Sequence, residues 1–270
     1  MDGCAGRRTS LLFSPEPSVL WLTMRRFRQY HPLNNFYMIL ERVDVEQCED
    51  RLQVVLHQAR YDFVLARLPA GQKVLEVGTG AGIFTKQLLP KCASYTGVEY
   101  DQATCLLARQ KNQGLANIIQ ADARKLPFEA GQFSFIVCLE VLEHLGDWKA
   151  GVQNIHRCLT PDGTTVISVP HRRRGAKSET NEFHLYEPGE QETVTLFRQL
   201  FDQVEVYYQF FEETGFMTLA RFLHIRRFVG LSDIYGKLSA GDPLATDRLK
   251  IAQTPPGIKI TLLIVATGKK

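Results

Sequence analysis

The sequence predicts an α/β domain built around a doubly wound parallel sheet. Short apolar runs that suit buried strands alternate with runs whose apolar residues recur at helical spacing, and most connections are only a few residues long. The length of 270 residues and a composition of 44% hydrophobic and 23% charged residues are those of an ordinary globular chain. The alternation therefore predicts helices on both faces of one sheet.

The elements follow one another from a leading helix onward. Apolar residues between 50 and 67 fall on one helical face, and Pro69 and Gly71 end that helix before the first strand. Asp101 is suited to cap a later helix, and a turn is predicted at Pro161-Asp162-Gly163. Further helices are predicted after Gly82, across 148–159 and from about Pro188. The predicted strands are 73–77, 95–99, 117–121, 133–139, 164–169, 204–211 and 258–266.

The pattern divides the chain into three parts. Residues 1–30 are predicted to form a poorly ordered arm, because prolines interrupt their apolar runs. Residues 31–70 are predicted to form an N-terminal helical segment. Residues 71–270 contain the main domain. Within it, the stretch from about 212 to 257 is too long for a tight hairpin, so we predict a helical insertion there.

Charge and cysteine content argue against several classes of protein. Residues 1–31 carry five arginines against one aspartate and one glutamate, which accounts for the whole net charge of +3 and argues against a nucleic-acid partner. The six cysteines form no Cys-x-x-Cys pair, so we expect no metal site and a cytoplasmic location with reduced thiols. No apolar run is long enough for a membrane span, and no clear signal-peptide cleavage site is present.

The strongest chemical signal is a glycine-rich loop after the first predicted strand. Val77 is followed by Gly78-Thr79-Gly80-Ala81-Gly82, with glycines at alternate positions. Glycine removes the Cβ that would block a ligand and permits positive φ, while the start of the next helix offers unpaired N–H groups. Because ligands bind at the carboxyl ends of strands in open parallel sheets, the loop predicts a binding crevice. The alternative is a tight turn that needs glycine only for steric reasons.

Two acids end the next two strands. Glu99 can accept hydrogen bonds from both hydroxyls of a ribose, and Asp122 can accept one from an adenine amino group. Three neighbouring strand ends therefore present contacts that suit an adenosine.

These residues are part of a series of five motifs that resembles class I S-adenosylmethionine-dependent methyltransferases of the type 11 family, which includes ubiquinone and menaquinone biosynthesis enzymes. The motifs are Leu75-Glu76-Val77-Gly78-Thr79-Gly80-Ala81-Gly82, Gly97-Val98-Glu99-Tyr100-Asp101, Ala121-Asp122-Ala123-Arg124-Lys125-Leu126-Pro127-Phe128, Glu140-Val141-Leu142-Glu143-His144 and Leu159-Thr160-Pro161-Asp162-Gly163. The family usually has Asp where Glu76 stands and often Cys where Thr79 stands. The resemblance implies a Rossmann-like, doubly wound, seven-stranded sheet that is mostly parallel with an antiparallel last strand.

The resemblance also assigns residues to the methyl donor, S-adenosylmethionine. It implies that Gly78 and Gly80 line the methionine and ribose portions, that Thr79 and Gly82 complete their loop, and that Glu76 holds the loop or, through water, the donor's amino group. The other implied contacts are Glu99 with the ribose diol, Tyr100 with an adenine face, Asp122 and the N–H of Ala123 with the adenine edge, Leu139 and Glu140 beside the methionine portion, and Arg60 or Tyr61 with its carboxylate. The alternative for Arg60 and Tyr61 is an exposed position on the leading helix.

Three histidines are candidate general bases. His144 follows the fourth strand, and His171 and His184 follow the fifth, so each lies near the expected methyl group. A neutral imidazole could accept the proton of an acceptor hydroxyl. The alternative for each is a packing or capping histidine.

Two basic segments suggest contacts beyond the donor site. The run 171–177 places five potential cations on one loop, which could attract an anionic acceptor, a phosphate or a membrane surface, or could simply be solvated. The stretch 216–228 is amphipathic and basic, which suits a lid more readily than a membrane contact.

The features together predict a methyltransferase that acts on a small-molecule or lipid-linked acceptor at a hydroxyl. One alternative is a binding protein that holds S-adenosylmethionine without catalysis. The other is an NAD-dependent oxidoreductase, but its fingerprint spaces the last two glycines three residues apart, whereas Gly78, Gly80 and Gly82 are spaced by two.

Overall fold

The structure of the chain is a computed structural model that describes residues 51–178, 181–211, 249–255 and 258–270. The predicted arm, the predicted helical segment as far as residue 50 and the predicted insertion from 212 to 248, with its amphipathic stretch, lie outside these residues. No helix in the described ranges is both long enough and apolar enough to cross a membrane.

The described ranges contain five α-helices and eight strands. The helices are α1 (Arg51–Arg67), α2 (Thr85–Leu88), α3 (Gln102–Asn112), α4 (Trp148–Cys158) and α5 (Glu190–Leu200). The strands are β1 (Gln72–Val77), β2 (Cys92–Glu99), β3 (Asn117–Gln120), β4 (Phe133–Leu139), β5 (Leu159–Pro170), β6 (Gln203–Phe211), β7 (Leu249–Ala252) and β8 (Ile258–Thr267). Short 3-10 turns occupy Leu89–Lys91, Ala123–Lys125 and Leu142–His144.

All eight strands form one sheet in the order β3-β2-β1-β4-β5-β8-β6-β7. Every neighbouring pair among β1 to β5 is parallel, while β8 runs antiparallel to both β5 and β6. The register places Val77 beside Cys138 and Glu99 beside Gln120. The carboxyl ends of β1 to β4 therefore meet at one edge of the sheet, as the predicted binding crevice requires.

Helices cover both faces of the sheet because alternate strand residues point to opposite sides. Leu75 of β1 belongs to a buried cluster with Ile155 of α4 and Phe197 of α5, whereas its neighbour Val74 belongs to a second cluster with Val64 of α1. Burial on both faces explains why the central strands are nearly continuous apolar runs. The predicted doubly wound α/β fold is confirmed.

The described residues contribute eight strands to the sheet, so the predicted number of seven is wrong. The additional strand, β7, pairs antiparallel with β6 at the edge of the sheet, with Ala252 opposite Tyr208. It lies within the stretch 212–257 that the pattern assigned to a helical insertion. This strand is defined by its pairing with β6, which is distant in sequence, and such pairing leaves little trace in a local pattern. The predicted antiparallel direction of the last strand, β8, is confirmed.

Two predicted boundaries also differ from the structure. The helix after Gly82, α2, has only four residues, and the predicted turn at 161–163 lies within β5, where a register shift against β4 accommodates it. The predicted cap of α3 is confirmed, since Asp101 Oδ1 accepts a hydrogen bond from the backbone N of Thr104 at 2.8 Å.

Candidate functional site

The glycine-rich loop leaves β1 with its three glycines in the left-handed region. The φ angles of Gly78, Gly80 and Gly82 are 77°, 56° and 70°, values that favour glycine over residues with a Cβ. A Cβ on Gly78 would collide with Val141, and a Cβ on Gly82 would collide with Asn112 of α3, so these two glycines allow close packing within the protein. A Cβ on Gly80 would meet no atom within 4 Å. The backbone of Gly80 therefore faces open space.

Glu99 ends β2 directly beside this open backbone. Its Oε2 accepts a hydrogen bond from Gly80 N at 3.1 Å, and its Oε1 accepts one from Asp101 N at 2.9 Å. Glu99 is only 9% exposed. Because a carboxylate offers about four acceptor positions, acceptor capacity remains for further donors. An open backbone and a buried carboxylate therefore lie together, which fits the ribose of an adenosine.

Glu76 is buried among hydroxyl groups that hold the loop. Its carboxylate accepts hydrogen bonds from the hydroxyls of Tyr61 and Tyr95 and, at 3.2 Å, from Thr79 Oγ1. Tyr95 OH lies 3.1 Å from Thr79 Oγ1 and 3.0 Å from Thr85 Oγ1. Burial raises the pKa of Glu76, while the hydroxyl donors oppose the rise by stabilising the ionised form. The network joins β1, the loop, α2 and β2.

Tyr95 and Thr85 were missed in the sequence analysis, although Gly97 offered a signal for Tyr95. A Cβ on Gly97 would lie 3.1 Å from Tyr95 OH and 3.2 Å from Thr79 Cγ2. Glycine inside a strand often marks such a close approach. The motif around Gly97 therefore makes room for the network as well as carrying Glu99.

The residues predicted to contact adenine lie at the ends of β2 and β3. Tyr100 is 67% exposed, and its carbonyl oxygen accepts a hydrogen bond from Gln120 Nε2 at 3.1 Å. Asp122 caps the short turn that begins at Ala123, and its two carboxylate oxygens accept hydrogen bonds from the guanidinium of Arg124. These hydrogen bonds lower the pKa of Asp122. Asp122 thus lies at the expected strand end with its carboxylate already paired.

The buried Arg60 of α1 forms an ion pair with the partly buried Glu140 at the end of β4. Arg60 Nη2 lies 3.7 Å from Glu140 Oε2, and the guanidinium donates to Gln209 Oε1 at 3.0 Å and to Thr261 Oγ1 at 3.4 Å. Glu140 has a φ of 54°, and its Oε1 accepts a hydrogen bond from Ser168 Oγ at 2.6 Å. Arg60 is therefore a buried residue that joins α1 to the sheet through hydrogen bonds to β6 and β8. The neighbouring candidates Tyr61 and Leu139 are also buried.

Two of the three candidate bases lie together. The rings of His144 and His184 meet edge to face with their centroids 4.8 Å apart, and His184 Nδ1 lies 2.7 Å from Glu187 Oε1. Burial tends to raise the pKa of Glu187, but hydrogen bonds from His184, Arg172 and Ser178 outweigh it and lower the pKa to about 2. Glu187 is therefore ionised at neutral pH and can orient the imidazole of His184.

His171 lies in a separate cluster. Its Nε2 is 2.9 Å from Glu190 Oε2, and the carboxylate of Glu190 also accepts a hydrogen bond from Tyr208 OH at 2.5 Å. Lys259 Nζ lies 3.8 Å from the same carboxylate. The acids that face the histidines were missed in the sequence analysis, because their pairing depends on how the chain after β5 folds back.

Glu143 is a buried acid next to His144. Within the described residues, its Oε2 has no hydrogen-bond partner. Burial and the nearby Glu140 raise the pKa of Glu143 from its usual 4.5 to about 8. Glu143, His144 and His184 also form a group that could hold a metal ion, because one ligand atom from each lies within 4.8 Å of the others. Local spacing in the sequence could not show this group, since His184 is distant from the other two residues.

Replacing Glu143 with glutamine is expected to flatten the pH dependence of stability. A raised pKa means that the contribution of Glu143 is fully present below pH 4.5 and is lost as the pH rises through about 8. Glutamine keeps the shape and stays neutral, so the variant should avoid this loss, which is on the order of a few kcal/mol. Urea unfolding of the wild type and the variant at acidic, neutral and alkaline pH measures how the free energy of unfolding depends on pH. An exposed control, Glu129→Gln, should retain the wild-type pH dependence, and identical profiles for both variants would contradict the assignment.

Part of the chain that carries this site is similar to known proteins. Residues 75–167 match a family model described as a methyltransferase domain. The matched range begins in β1 and ends in β5, so it includes the glycine-rich loop, Glu99, Asp122 and the Glu140 motif. The match therefore covers the edge of the sheet where the candidate site lies.

Curated relatives match over a similar part of the chain. The ubiquinone biosynthesis O-methyltransferase of Pseudomonas aeruginosa is 36% identical over 107 residues, which are 38% of this chain and 46% of the relative. That of Xanthomonas oryzae pv. oryzae is 33% identical over 128 residues, 45% of this chain and 53% of the relative. The chain thus spans about half the length of the curated relatives it matches.

A solved structure extends the comparison to the fold. A protein from Thermotoga maritima, described as an SAM-dependent methyltransferase and possible histamine N-methyltransferase, has a TM-score of 0.57 at 17% identity and covers 86% of this chain and 98% of its own. At this identity the likeness shows the fold alone. Residues 75–167 are therefore similar to a methyltransferase domain, and the fold of the chain is similar to that of this solved structure.

Proposed function

We propose that the protein transfers a methyl group from S-adenosylmethionine to a hydroxyl of a small-molecule or lipid-linked acceptor. The observation that carries this proposal is the open, left-handed backbone of Gly80 with the buried carboxylate of Glu99 bound to its N–H at 3.1 Å. An adenosine requires both a close approach to backbone and an acceptor for its two ribose hydroxyls.

The remaining site residues would surround the rest of the donor. The exposed ring of Tyr100 beside Glu99 is suited to cover one adenine face, and Leu139 and Glu140 at the end of β4 are suited to flank the methionine portion. Glu76 would act through its hydroxyl network, which holds the loop that carries Gly80. S-adenosylmethionine, when bound, supplies a methyl group on a positively charged sulfur that is a good leaving group.

The chain contributes mainly by positioning the reactants. The nucleophile must approach the methyl carbon in line with the sulfur, so holding both reactants in one pocket supplies much of the acceleration. A base is needed only when the acceptor has a proton to lose. The similar proteins from Pseudomonas aeruginosa and Xanthomonas oryzae pv. oryzae are O-methyltransferases, which supports a hydroxyl acceptor, and a hydroxyl has a proton to lose.

We assign the role of base to His184. Its Nδ1 faces the ionised Glu187, so its Nε2 remains to accept the proton of the acceptor hydroxyl. The carboxylate would orient the ring and stabilise the imidazolium that forms. His144 packs against His184 and would position it, whereas the Nε2 of His171 is bound to Glu190 in the separate cluster.

Replacing His184 with glutamine is expected to lower kcat by about 10² to 10⁴-fold, because the acceptor proton loses its base. The affinity for S-adenosylhomocysteine, the demethylated donor, should change little. Glu187→Gln should also lower kcat and should shift the pH profile of the rate, since the imidazolium loses its charged partner. Initial rates of radiolabelled methyl transfer measure these effects. A variant His144→Gln that loses activity while His184→Gln retains it would contradict the assignment.

The proposed function is tested by incubating the protein with radiolabelled S-adenosylmethionine and a fractionated cell extract. We expect label in a small-molecule or lipid fraction, and we expect alkali-stable label because an ether is formed at a hydroxyl. Binding of S-adenosylhomocysteine without transfer to any fraction would favour a non-catalytic binding protein. Binding of NADH in its place would favour an oxidoreductase.

A further inference from the structure

We propose that a groove between the start of α4, the loop 173–175 and α5 binds a phosphate group of a small molecule or a lipid. The groove has a volume of about 630 Å³, and Lys149, Arg173 and Arg174 lie in its lining. Neither Gly80 nor any residue assigned to the methyl donor lines it. The proposal is therefore independent of the proposed methyl transfer.

The three cations of the groove are not neutralised by neighbouring acids. Arg172 pairs with Glu187, but no ion pair joins Lys149, Arg173 or Arg174 to a carboxylate within the described ranges. All three side chains are exposed. The groove therefore concentrates positive charge that an anionic ligand could compensate.

The acid in the lining, Glu192, accepts hydrogen bonds from other groups of the protein. Its Oε1 accepts hydrogen bonds from Tyr186 OH at 2.9 Å and from Gly189 N at 2.7 Å. A Cβ on Gly175 would collide with both Glu192 and the Tyr186 hydroxyl, so glycine allows the loop to pack closely against them. Glu192 therefore shapes the groove rather than pairing with its cations.

Backbone hydrogen bonds fix the chain on both sides of Arg173 and Arg174. Ala176 N donates to Glu187 O at 3.1 Å, and Glu187 N donates to Ala176 O at 2.8 Å. On the other side of the arginines, Glu190 N donates to Arg172 O at 2.8 Å. Because the backbone is fixed on both sides, binding a ligand would cost little further ordering of the loop.

Phosphate is the anion that fits this set of charges. Each guanidinium can donate to two phosphate oxygens, and a lysine adds a compact charge. The three cations and the carboxylate of Glu192 give the lining a formal charge of +2, which a phosphomonoester dianion compensates in full and a single carboxylate only by half. The groove volume of about 630 Å³ lies within the range of roughly 300 to 1,000 Å³ for small-molecule sites. The phosphate would therefore be part of a larger molecule.

The double variant Arg173→Gln/Arg174→Gln tests the groove with inorganic phosphate as the probe. Calorimetric titration at constant ionic strength should show binding to the wild type and a loss of affinity of at least about tenfold in the variant. A matched control, Arg198→Gln, removes an exposed cation of α5 that does not line the groove and should bind as the wild type does. Equal phosphate affinity in the wild type and the double variant would overturn the proposal.

Vesicles distinguish the two sources of phosphate. Cosedimentation with vesicles of equal parts phosphatidylcholine and phosphatidic acid, whose headgroup is a phosphomonoester, but not of phosphatidylcholine alone, and its loss in the double variant would support a lipid headgroup. Phosphate binding without cosedimentation would support a soluble phosphorylated molecule. Absence of both in the wild type would overturn the proposal. The double variant should retain wild-type affinity for S-adenosylhomocysteine, which separates this outcome from failure of the proposed function.

Discussion

Replacing Gly80 with alanine is expected to weaken binding of S-adenosylhomocysteine by at least about tenfold. The φ of Gly80 is 56°, and an added Cβ would meet no protein atom within 4 Å. The new methyl group would instead occupy the open space through which the donor approaches the backbone. In the unliganded protein, alanine should cost only the left-handed strain of about 1 to 2 kcal/mol. Calorimetric titration measures the affinity for S-adenosylhomocysteine, and urea unfolding measures the free energy of unfolding.

Gly114 provides a matched control for that variant. It also has a left-handed φ, 78°, and a Cβ there would also meet no atom within 4 Å. Gly114→Ala should therefore lower the free energy of unfolding about as much as Gly80→Ala does, without affecting ligand affinity. If both variants bind S-adenosylhomocysteine as the wild type does, the backbone of Gly80 does not face the donor.

Replacing Glu99 with alanine is expected to weaken the binding of S-adenosylhomocysteine by about 1 to 3 kcal/mol. The change removes the acceptor for the ribose hydroxyls and also the partner of Gly80 N at 3.1 Å. Glu99→Gln keeps the shape but has one acceptor oxygen in place of two, so its affinity should lie between those of the wild type and Glu99→Ala. Isothermal titration with S-adenosylhomocysteine measures all three affinities.

Glu129 serves as the control for loss of a carboxylate. Its side chain is exposed and lies away from the strand ends, so Glu129→Ala should leave the affinity unchanged. Wild-type affinity in Glu99→Ala would be incompatible with a ribose contact. Reduced affinity in Glu129→Ala would instead indicate a general effect of net charge.

The central sheet could be predicted from the sequence because its strands are buried on both faces. The bounds of β4, Phe133–Leu139, follow directly from an apolar run, and the glycine-rich loop marks the end of β1. In contrast, β7 is a strand because it pairs with β6, which is distant in sequence. Pairing between distant segments leaves little trace in a local pattern, so the eighth strand was missed.

The position of Glu99 and Asp122 could likewise be predicted, since both stand at strand ends that the topology brings together. The buried side chains that contact the predicted site residues could not be predicted from the sequence. Tyr95 reaches Glu76 only through the packing of β2 beside β1, and the contact of His184 with Glu187 depends on the loop after β5. His171 and His184 follow the same strand and so were equivalent in sequence, yet the structure places them in different clusters.

A crystal structure of the protein with S-adenosylhomocysteine is the most direct test of the adenosine site. We expect the ribose hydroxyls within hydrogen-bond distance of the Glu99 carboxylate, with the ligand in contact with the backbone of Gly80. A ligand bound elsewhere, or a Glu99 carboxylate that faces away from a ligand bound at the strand ends, would contradict the assignment of the site.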